Sequence, residues 1–540
     1  MLQLNRNRLH RRTEKLIEIG ERISGTKEIE EAARYIVDEL NQYNPEILKF
    51  RLLTSRIGSP CIFLVDKVRF DCLTDFFSKS GEFEGELIYT NDFSDIDGKI
   101  VLTDLSKPPS RPLKAKIASD AGAKGIVFIG YGTDDNDLIY RGGIKYVWGN
   151  PTIFNYRDIP SIASISISRK KGVEIIRKMR KGTSGFISVR TSREWVTSAT
   201  PIIRKVRSGR RFVIVQSALE SIGSTATFNS ASNAALMEIV ETTDDILAIF
   251  TDGHEVAESA SSAFLVDSEW EMLKNNAIVT VNVESLGIRG GERSVSYISP
   301  EILDYAKKVE KEHGFNSEFR YEGKHGENSY IGIGIPYYWH VDYIPGDLPL
   351  GYWYRTEADT IEHVDFVLLE KQTLLIRDLI REMANSKIVP YSLTAFPTLI
   401  DNILQNDLIN FLNKHNVIDK SVWDKLNVVL TNLHKLKPMS EQLSNELNLL
   451  SDISIEEANR LLIKAVRLTH WYLFSLQDKY FQDPYGSNYD EIFPIIRVIL
   501  NTNDINLSVN SILKEMNKIL DITDDLKSIL ERMESLLSAH

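Results

Sequence analysis

The chain has 540 residues, of which 43% are hydrophobic and 26% charged, and its formal net charge is −11. This length exceeds what one hydrophobic core supports and predicts about three to four domains. The acidic balance excludes the basic surface that non-specific nucleic-acid binding needs, and no apolar run reaches the ~18 residues of a membrane span. Cys61 and Cys72 are too few for a disulfide framework, so we expect a reducing, cytoplasmic location.

Residues 1–79 predict two helices followed by strands. The first helix carries Leu16, Ile17 and Ile19 near helical spacing, and the second begins at a Thr26 cap. Residues 46–76 then alternate between apolar and polar side chains, which is typical of strands.

Residues 80–192 predict a separate α/β unit. Residues 98–102 and 126–129 are short apolar runs that indicate buried strands. Residues 131–156 are polar and rich in Gly, Asp and Asn, which predicts a long surface excursion.

Residues 193–390 contain three apolar runs, and each ends in a polar cluster. The runs are 211–215, 246–250 and 277–283, and the middle one leads into Asp252-Gly253-His254-Glu255. Because the carboxyl ends of parallel strands meet at one edge of a sheet, these clusters predict a ligand site at that edge. Strands that alternate with helices imply a mostly parallel sheet covered on both faces.

Residues 391–540 carry almost no strand signal and predict an all-α bundle. The last helix has an apolar stripe at helical spacing, which indicates a core-facing side. The stripe consists of Ile512, Met516, Ile519, Leu526, Ile529, Met533 and Leu536.

Residues 12–390 resemble the family of zinc-dependent aminopeptidases, glutamate carboxypeptidases and transferrin receptors. The resemblance to the family's protease-associated insert lies in GKIVL at 98–102, AGAKGIVFI at 121–129 and IPSIASISIS at 159–168. It implies an α/β fold whose mostly parallel sheet is flanked by helices, as in zinc exopeptidases. It also implies an inserted α/β protease-associated domain over 80–192 and a C-terminal all-α domain over 391–540, which in some relatives forms dimers.

Active members of this family bind two zinc ions, and the resemblance places residues of this chain at each motif position. Ser217 stands at the first His, Leu219 at its Asp partner, Asn229 at the bridging Asp, His254 at the general base, Glu255 at the metal-binding Glu, Glu284 at the later Asp, and Arg355 at the late His.

Most of these residue types do not suit zinc. Leu219 cannot coordinate a metal, Asn229 lacks the charge of a bridging carboxylate, and Arg355 is a permanent cation. We expect Arg355 to pair with Glu255 or Glu284. The resemblance therefore implies a catalytically silent protein with no cofactor, which is a scaffold or binds a peptide or protein ligand.

Two alternatives stay open. The first is an active metallo-exopeptidase with zinc and an altered ligand set, in which Glu255, Glu284 and His254 are the first candidates. Further polar residues considered for that set are Asp252, His325 and His340, within HGEN at 325–328 and WHVD at 339–342. The second is a structural protein that forms a homodimer through its C-terminal helices.

Aromatic residues are dense near the late loop, where they form either a packed lid or a peptide-binding wall. They are Tyr337, Tyr338, Trp339, Tyr343, Tyr352, Trp353 and Tyr354. By the same resemblance, the segment 131–150 is expected to form part of the pocket rim.

Overall fold

The computed structural model describes residues 4–207, 209–223, 225–321, 323, 328–345, 350–447, 450, 452–487 and 492–538. Within these residues the strands are β1 (Glu46–Leu48), β2 (Arg51–Val65), β3 (Val68–Phe70), β4 (Leu73–Thr74), β5 (Gly81–Tyr89), β6 (Ile100–Asp104), β7 (Gly125–Ile129), β8 (Ala163–Ile167), β9 (Ser184–Thr197), β10 (Thr200–Lys205), β11 (Phe212–Ala218), β12 (Ile246–Thr251), β13 (Ala277–Asn282), β14 (Arg293–Ile298), β15 (Glu318–Tyr321) and β16 (Tyr337–Tyr343).

The helices of the same residues are α1 (Arg6–Ile19), α2 (Lys27–Glu39), α3 (Arg111–Asp120), α4 (Arg169–Lys178), α5 (Ala231–Thr242), α6 (Ala260–Ser268), α7 (Trp270–Asn276), α8 (Leu303–Glu312), α9 (Phe366–Asn385), α10 (Ala395–Ile403), α11 (Ile409–Lys414), α12 (Lys420–Glu446), α13 (Asp452–Phe474), α14 (Pro494–Leu500) and α15 (Ile505–Ser538). The predicted cap of α2 is present, since the Thr26 side chain accepts a hydrogen bond from the Ile29 amide.

The central sheet has the strand order β1-β10-β12-β11-β13-β16-β14-β15. Its middle strands β12, β11, β13 and β16 run parallel, and β11, β12 and β13 are buried along their whole length. Val213 and Val215 pack in the core with α5 and α9, whereas Phe212 and Ile214 pack on the opposite face with α6 and α7. The predicted architecture, a mostly parallel sheet with helices on both faces, is confirmed.

A second sheet has the order β3-β2-β9-β5-β6-β7-β8-β4, with β5 to β8 parallel. The long strand β2 pairs antiparallel with β9, from Arg51 opposite Thr197 to Val65 opposite Gly185. This sheet takes strands from both sides of residue 80. The sequence reveals that 51–65 is a strand but not which partner it chooses, so the predicted domain boundary there stays a prediction.

The segment 131–156 is the surface excursion that its polarity predicts only towards its ends, where residues 133–135 and 152–154 are exposed. Ile144, Val147 and Trp148 are buried, and the Ile144 amide donates a hydrogen bond to the carbonyl of Phe76 at 3.1 Å. The Trp148 indole donates to the Ser329 hydroxyl at 2.8 Å. These contacts hold the middle of the segment between the second sheet and the central domain.

The described residues from 391 onward form helices and contribute no strand. α15 packs against α12 and α13, and the predicted apolar stripe is buried from Ile512 to Met533, with Leu536 partly buried. The predicted C-terminal all-α region is therefore confirmed as helical.

Cys61 and Cys72 form a disulfide, with their Cα atoms 6.2 Å apart. Disulfides are typical of oxidising compartments, so this pairing weighs against the reducing compartment expected from the cysteine count. A search of the described helices finds none that is long and apolar enough to cross a membrane.

Candidate functional site

The turn after β12 is held from behind by two buried carboxylates. Asp252 accepts hydrogen bonds from the Ser24 hydroxyl at 2.6 Å and from the Ala199 amide at 2.7 Å. Glu220 accepts from the backbone amides of Glu255 at 2.7 Å and Val256 at 3.0 Å. These bonds fix the backbone that presents His254 and Glu255 at the carboxyl edge of the central sheet.

Glu255 forms an ion pair with Arg355, as the sequence analysis expects. The Glu255 carboxylate is fully buried, the Arg355 side chain is 16% exposed, and apart from this pair neither carboxylate oxygen has a hydrogen-bond partner among the described residues. Burial is the largest single influence and lowers the pKa of Arg355, but the Glu255 carboxylate together with Tyr140, Tyr354 and Tyr485 outweighs it and raises that pKa above its usual value. Arg355 is therefore the charge that compensates Glu255.

Aromatic side chains enclose the Arg355 guanidinium. Its carbon lies 5.2 Å from the ring centre of Tyr354, 5.4 Å from that of Phe228 and 5.9 Å from that of Tyr140. Its Nη1 also donates a hydrogen bond to the Tyr140 hydroxyl at 2.9 Å. Cations are attracted to ring faces at such distances, so the rings stabilise the guanidinium further.

His254 lies near the carboxylates of both Glu255 and Glu284. Its Nε2 is 3.7 Å from Glu284 Oε1 and 4.0 Å from Glu255 Oε1. Glu284 is held in turn, since its carboxylate accepts from the Asn282 side chain at 2.6 Å and its carbonyl accepts from the Trp339 indole at 3.0 Å. The structure thus brings His254, Glu255, Glu284 and Arg355 into one cluster.

The side chains at the other three predicted metal positions, Leu219, Asn229 and Ser217, are buried outside this cluster. Leu219 lies in the main hydrophobic core, and its amide donates to the Thr251 carbonyl at 2.9 Å. The Asn229 side chain donates to the carbonyl of Glu220 at 3.0 Å. Ser217 is buried, and its hydroxyl has no hydrogen-bond partner in the part of the chain that the structure describes.

The cluster opens into a cavity of about 260 Å³ between the central domain, the second sheet and the helical region. From the segment 131–150, Tyr131, Tyr140 and Gly143 reach its wall, as expected of a rim. Its lining also includes Arg111, Phe228, His254, Glu255, Glu258, Glu284, Tyr297, Trp339, Tyr343, Tyr354, Arg355 and Tyr485.

The dense aromatic residues of the late loop divide between wall and core. Trp339, Tyr343 and Tyr354 line the cavity, whereas the Tyr338 hydroxyl donates to the buried Glu310 at 2.8 Å. Trp353 stacks on His363 with ring centres 3.8 Å apart. Some of these residues therefore line the cavity and others are packed in the core, while peptide binding by the wall stays a prediction.

Sequence reasoning missed two buried ionisable groups beside the cavity. Burial raises the pKa of Glu258 to about 8 and lowers the pKa of Lys145 to about 7. The Lys145 ammonium donates to the carbonyls of Ala257, at 2.6 Å, and of Gly149. Glu258 stands four residues after His254, a helical spacing that could have placed it near the site, whereas Lys145 carries no such signal.

Of the further residues considered for an altered ligand set, Asp252 and His340 do not line the cavity. Asp252 faces Ser24 and Ala199, and His340 is fully buried with its Nδ1 3.0 Å from the Ser296 hydroxyl. His325 lies outside the described residues. Among the residues that are described, no group of three His, Cys, Asp or Glu side chains has the arrangement of a metal site.

The architecture is similar to that of solved zinc aminopeptidases. A zinc aminopeptidase from Bacillus subtilis aligns with a TM-score of 0.56 and 18% identity, covering 71% of this chain and 96% of that one. The aminopeptidase from Aneurinibacillus sp. strain AM-1 aligns with a TM-score of 0.54 and 18% identity, over 70% and 93% of the two chains. A peptidase M28 precursor from Shewanella amazonensis SB2B gives a TM-score of 0.54 and 16% identity, over 70% and 93%.

These alignments define the class of fold: the chain has the fold of the zinc aminopeptidases. Searches with models of protein families and among curated proteins found no match. The fold alone is therefore shared, and the chemistry has to be argued from the residues.

The family resemblance of the sequence implies a pair of zinc ions, and the donor set of this site does not fit them. Zinc takes about four ligands from Cys, His, Asp or Glu at roughly 2.0–2.3 Å. The carboxylate of Glu255 contacts a guanidinium instead, and Leu219 offers the site no donor atom on its side chain. A dication next to Arg355 would also meet a fixed positive charge.

Proposed function

We propose that this chain is a zinc-aminopeptidase-fold protein that has lost catalysis and binds a peptide or protein segment in its cavity. The ion pair between Glu255 and Arg355 carries the proposal. Glu255 stands at the position of the family's metal-binding Glu, and its carboxylate contacts the Arg355 guanidinium where a relative would have a metal ion. Metallopeptidases need a metal to generate a nucleophilic water near neutral pH. With Leu219 and Arg355 at ligand positions, these residues do not hold the metals of that reaction.

The cavity walls support retained binding. Aromatic rings from three parts of the chain, including Tyr140, Trp339 and Tyr485, surround a small number of charged groups. Ligand sites in proteins combine such apolar walls with a few convergent polar groups. A volume of about 260 Å³ suits a side chain or a short peptide end rather than a folded partner.

Metal content and hydrolysis, measured together, test the loss of catalysis. Protein purified without chelators is analysed for zinc by mass spectrometry and assayed with a panel of aminoacyl fluorogenic substrates. We expect less than one zinc per chain and no turnover. Stoichiometric zinc accompanied by turnover that is lost in Glu255→Gln would refute the proposal.

A second candidate is a single zinc ion bound by His254, Glu255 and Glu284, which would have to rearrange because these described residues do not stand in the arrangement of a metal site. The His254 Nε2 distances to Glu284 and Glu255, 3.7 and 4.0 Å, are close to the separation of two ligands that share one ion. This candidate requires Arg355 to leave Glu255. Zinc titration of the unaltered chain and of Glu284→Gln distinguishes the two, since only a site at this cluster loses affinity in the variant.

The partner and location predictions are also retained as proposals. A homodimer through the C-terminal helices is tested by mass measurement in solution, where a strict monomer excludes it. A cytoplasmic location is tested by titrating thiols in freshly extracted protein. Two free thiols support that location, and a stable bond between Cys61 and Cys72 contradicts it.

A further inference from the structure

Two adjoining cavities lie at the opposite edge of the central sheet from Glu255. Their volumes are about 570 and 530 Å³, and both are lined by Arg211 and Glu456. Arg211 directly precedes β11 and Asn276 directly precedes β13, so the cavities lie at the amino ends of these strands. Helix α13 of the C-terminal region forms the facing wall.

The lining of these cavities is strongly basic. We call it the basic cleft, and its cations are Arg210, Arg211, Lys274, Lys387, Arg460, Lys464 and Arg467. Its carboxylates are Glu456 and Asp245, and Asp245 already accepts a hydrogen bond from Arg207 at 2.9 Å. The whole chain has 64 basic and 75 acidic residues, so this local excess of positive charge runs against the composition.

The cations of the basic cleft fall into two groups. Arg467 is fixed by the chain, since its guanidinium donates to backbone carbonyls that include those of Lys274, at 3.2 Å, and Gly334. Arg211 uses Nη2 for the Ser386 carbonyl at 3.1 Å, while its buried Nη1 has no partner among the described residues. Lys464 is exposed and takes part in none of the ion pairs among the described residues, whereas Arg460 pairs with Glu457 at 3.5 Å. Arg211 and Lys464 therefore keep hydrogen-bond donors that no described residue uses, within a positively charged lining.

We propose that the basic cleft binds a small phosphate-bearing anion. Guanidinium groups match the oxygens of phosphate in pairs, and an ammonium adds a mobile point charge. Arg211 Nη1 is buried as the structure stands, so the side chain has to turn towards the cleft before an oxygen acceptor there can satisfy this donor. The volume lies in the range of small-molecule sites, and Ile463 with the stems of the basic side chains accommodates an organic body.

Calorimetric titration of the full chain with inorganic phosphate and with tripolyphosphate, at constant ionic strength, tests this proposal. We expect one saturable tripolyphosphate site per chain. Arg211→Gln and Lys464→Gln should each weaken binding about tenfold, because each removes one charge-assisted contact. Arg34→Gln and Lys435→Gln, at exposed positions outside the basic cleft, should leave the affinity unchanged.

Circular dichroism melting checks that every variant folds. If Arg211→Gln does not fold, Lys464→Gln still tests the proposal, because it alters only an exposed side chain. Absence of saturable binding to both probes overturns the proposal. The proposal is also overturned if the control variants lose as much affinity for tripolyphosphate as Arg211→Gln and Lys464→Gln do, because the anion would then be attracted to positive charge in general. Binding only to duplex DNA or to phosphatidylserine vesicles, without tripolyphosphate binding, would also overturn it.

Discussion

Replacing Arg355 with Met removes the cation from the buried pair with Glu255 and keeps a long side chain among the aromatic rings. Because Glu255 has no other hydrogen-bond partner for its carboxylate among the described residues, the variant leaves a buried charge without compensation. Breaking a buried ion pair in this way costs roughly 3–5 kcal/mol of unfolding free energy. At about 2 °C per kcal/mol for a large domain, Tm should fall by at least about 6 °C.

Thermal melting followed by tryptophan fluorescence measures this loss. The double variant Arg355→Met with Glu255→Gln removes both charges and should recover most of the lost Tm. Arg320→Met is a matched control, because it breaks the exposed ion pair with Glu318 and should cost at most about 1 kcal/mol. If Arg355→Met melts within about 2 °C of the unaltered chain, or the double variant melts no higher than Arg355→Met, Arg355 is not the charge that compensates Glu255.

Three further predictions concern the same cavity. Glu258→Gln should raise Tm at pH 8.5 but not at pH 4.5. The folded-state pKa of Glu258 is raised to about 8. The protonated carboxyl therefore contributes its full stability below the unfolded-state pKa, and this stability is lost as the pH rises through 8. Melting curves across pH check this, and an equal change at both pH values would contradict it. Tyr140→Phe removes the hydroxyl that accepts from Arg355 at 2.9 Å and should cost about 1 kcal/mol in chemical denaturation, whereas a neutral effect would show that the bond contributes nothing. Arg355→His should bind no more than one zinc ion and show no peptidase turnover, because Leu219 still provides no donor atom. Metal analysis and the fluorogenic assay check this, and two bound zinc ions would contradict it.

The sequence indicated the edge of the sheet and the cluster there for a physical reason. The runs that became β11, β12 and β13 are fully apolar and end in polar residues, and parallel strands bring those ends together. Strand alternation also explains why His340 is not in the cluster. Trp339 lines the cavity, so its neighbour on β16 points to the other face, towards Ser296 and Glu310.

The walls of the cavity were much harder to predict. Tyr485 and Tyr140 line one cavity although they are far apart along the chain. Lys145 is buried in a segment whose composition indicates an exposed loop. Contacts of this kind depend on how separate units pack, and local periodicity does not encode that packing.

Backbone strain at the cavity bears on the choice between a ligand-binding protein and an inert structural one. Glu258, Ser259 and Arg355, which line the cavity, have positive φ angles between 50° and 54°, the left-handed region that such residues rarely adopt. Each costs on the order of 1 kcal/mol, and such strain concentrates where side chains must be held for a ligand. An inert structural protein gains nothing from these conformations, because a glycine or asparagine would fit the same turns at lower cost. Positive φ angles also occur at described residues away from the cavity, such as Asn44, Lys67 and Asn416, so the strain supports the proposed ligand only through the residues that line it. Substituting Ser285, whose φ is 56°, with Gly should raise Tm without altering peptide binding, whereas Arg355→Gly should abolish peptide binding.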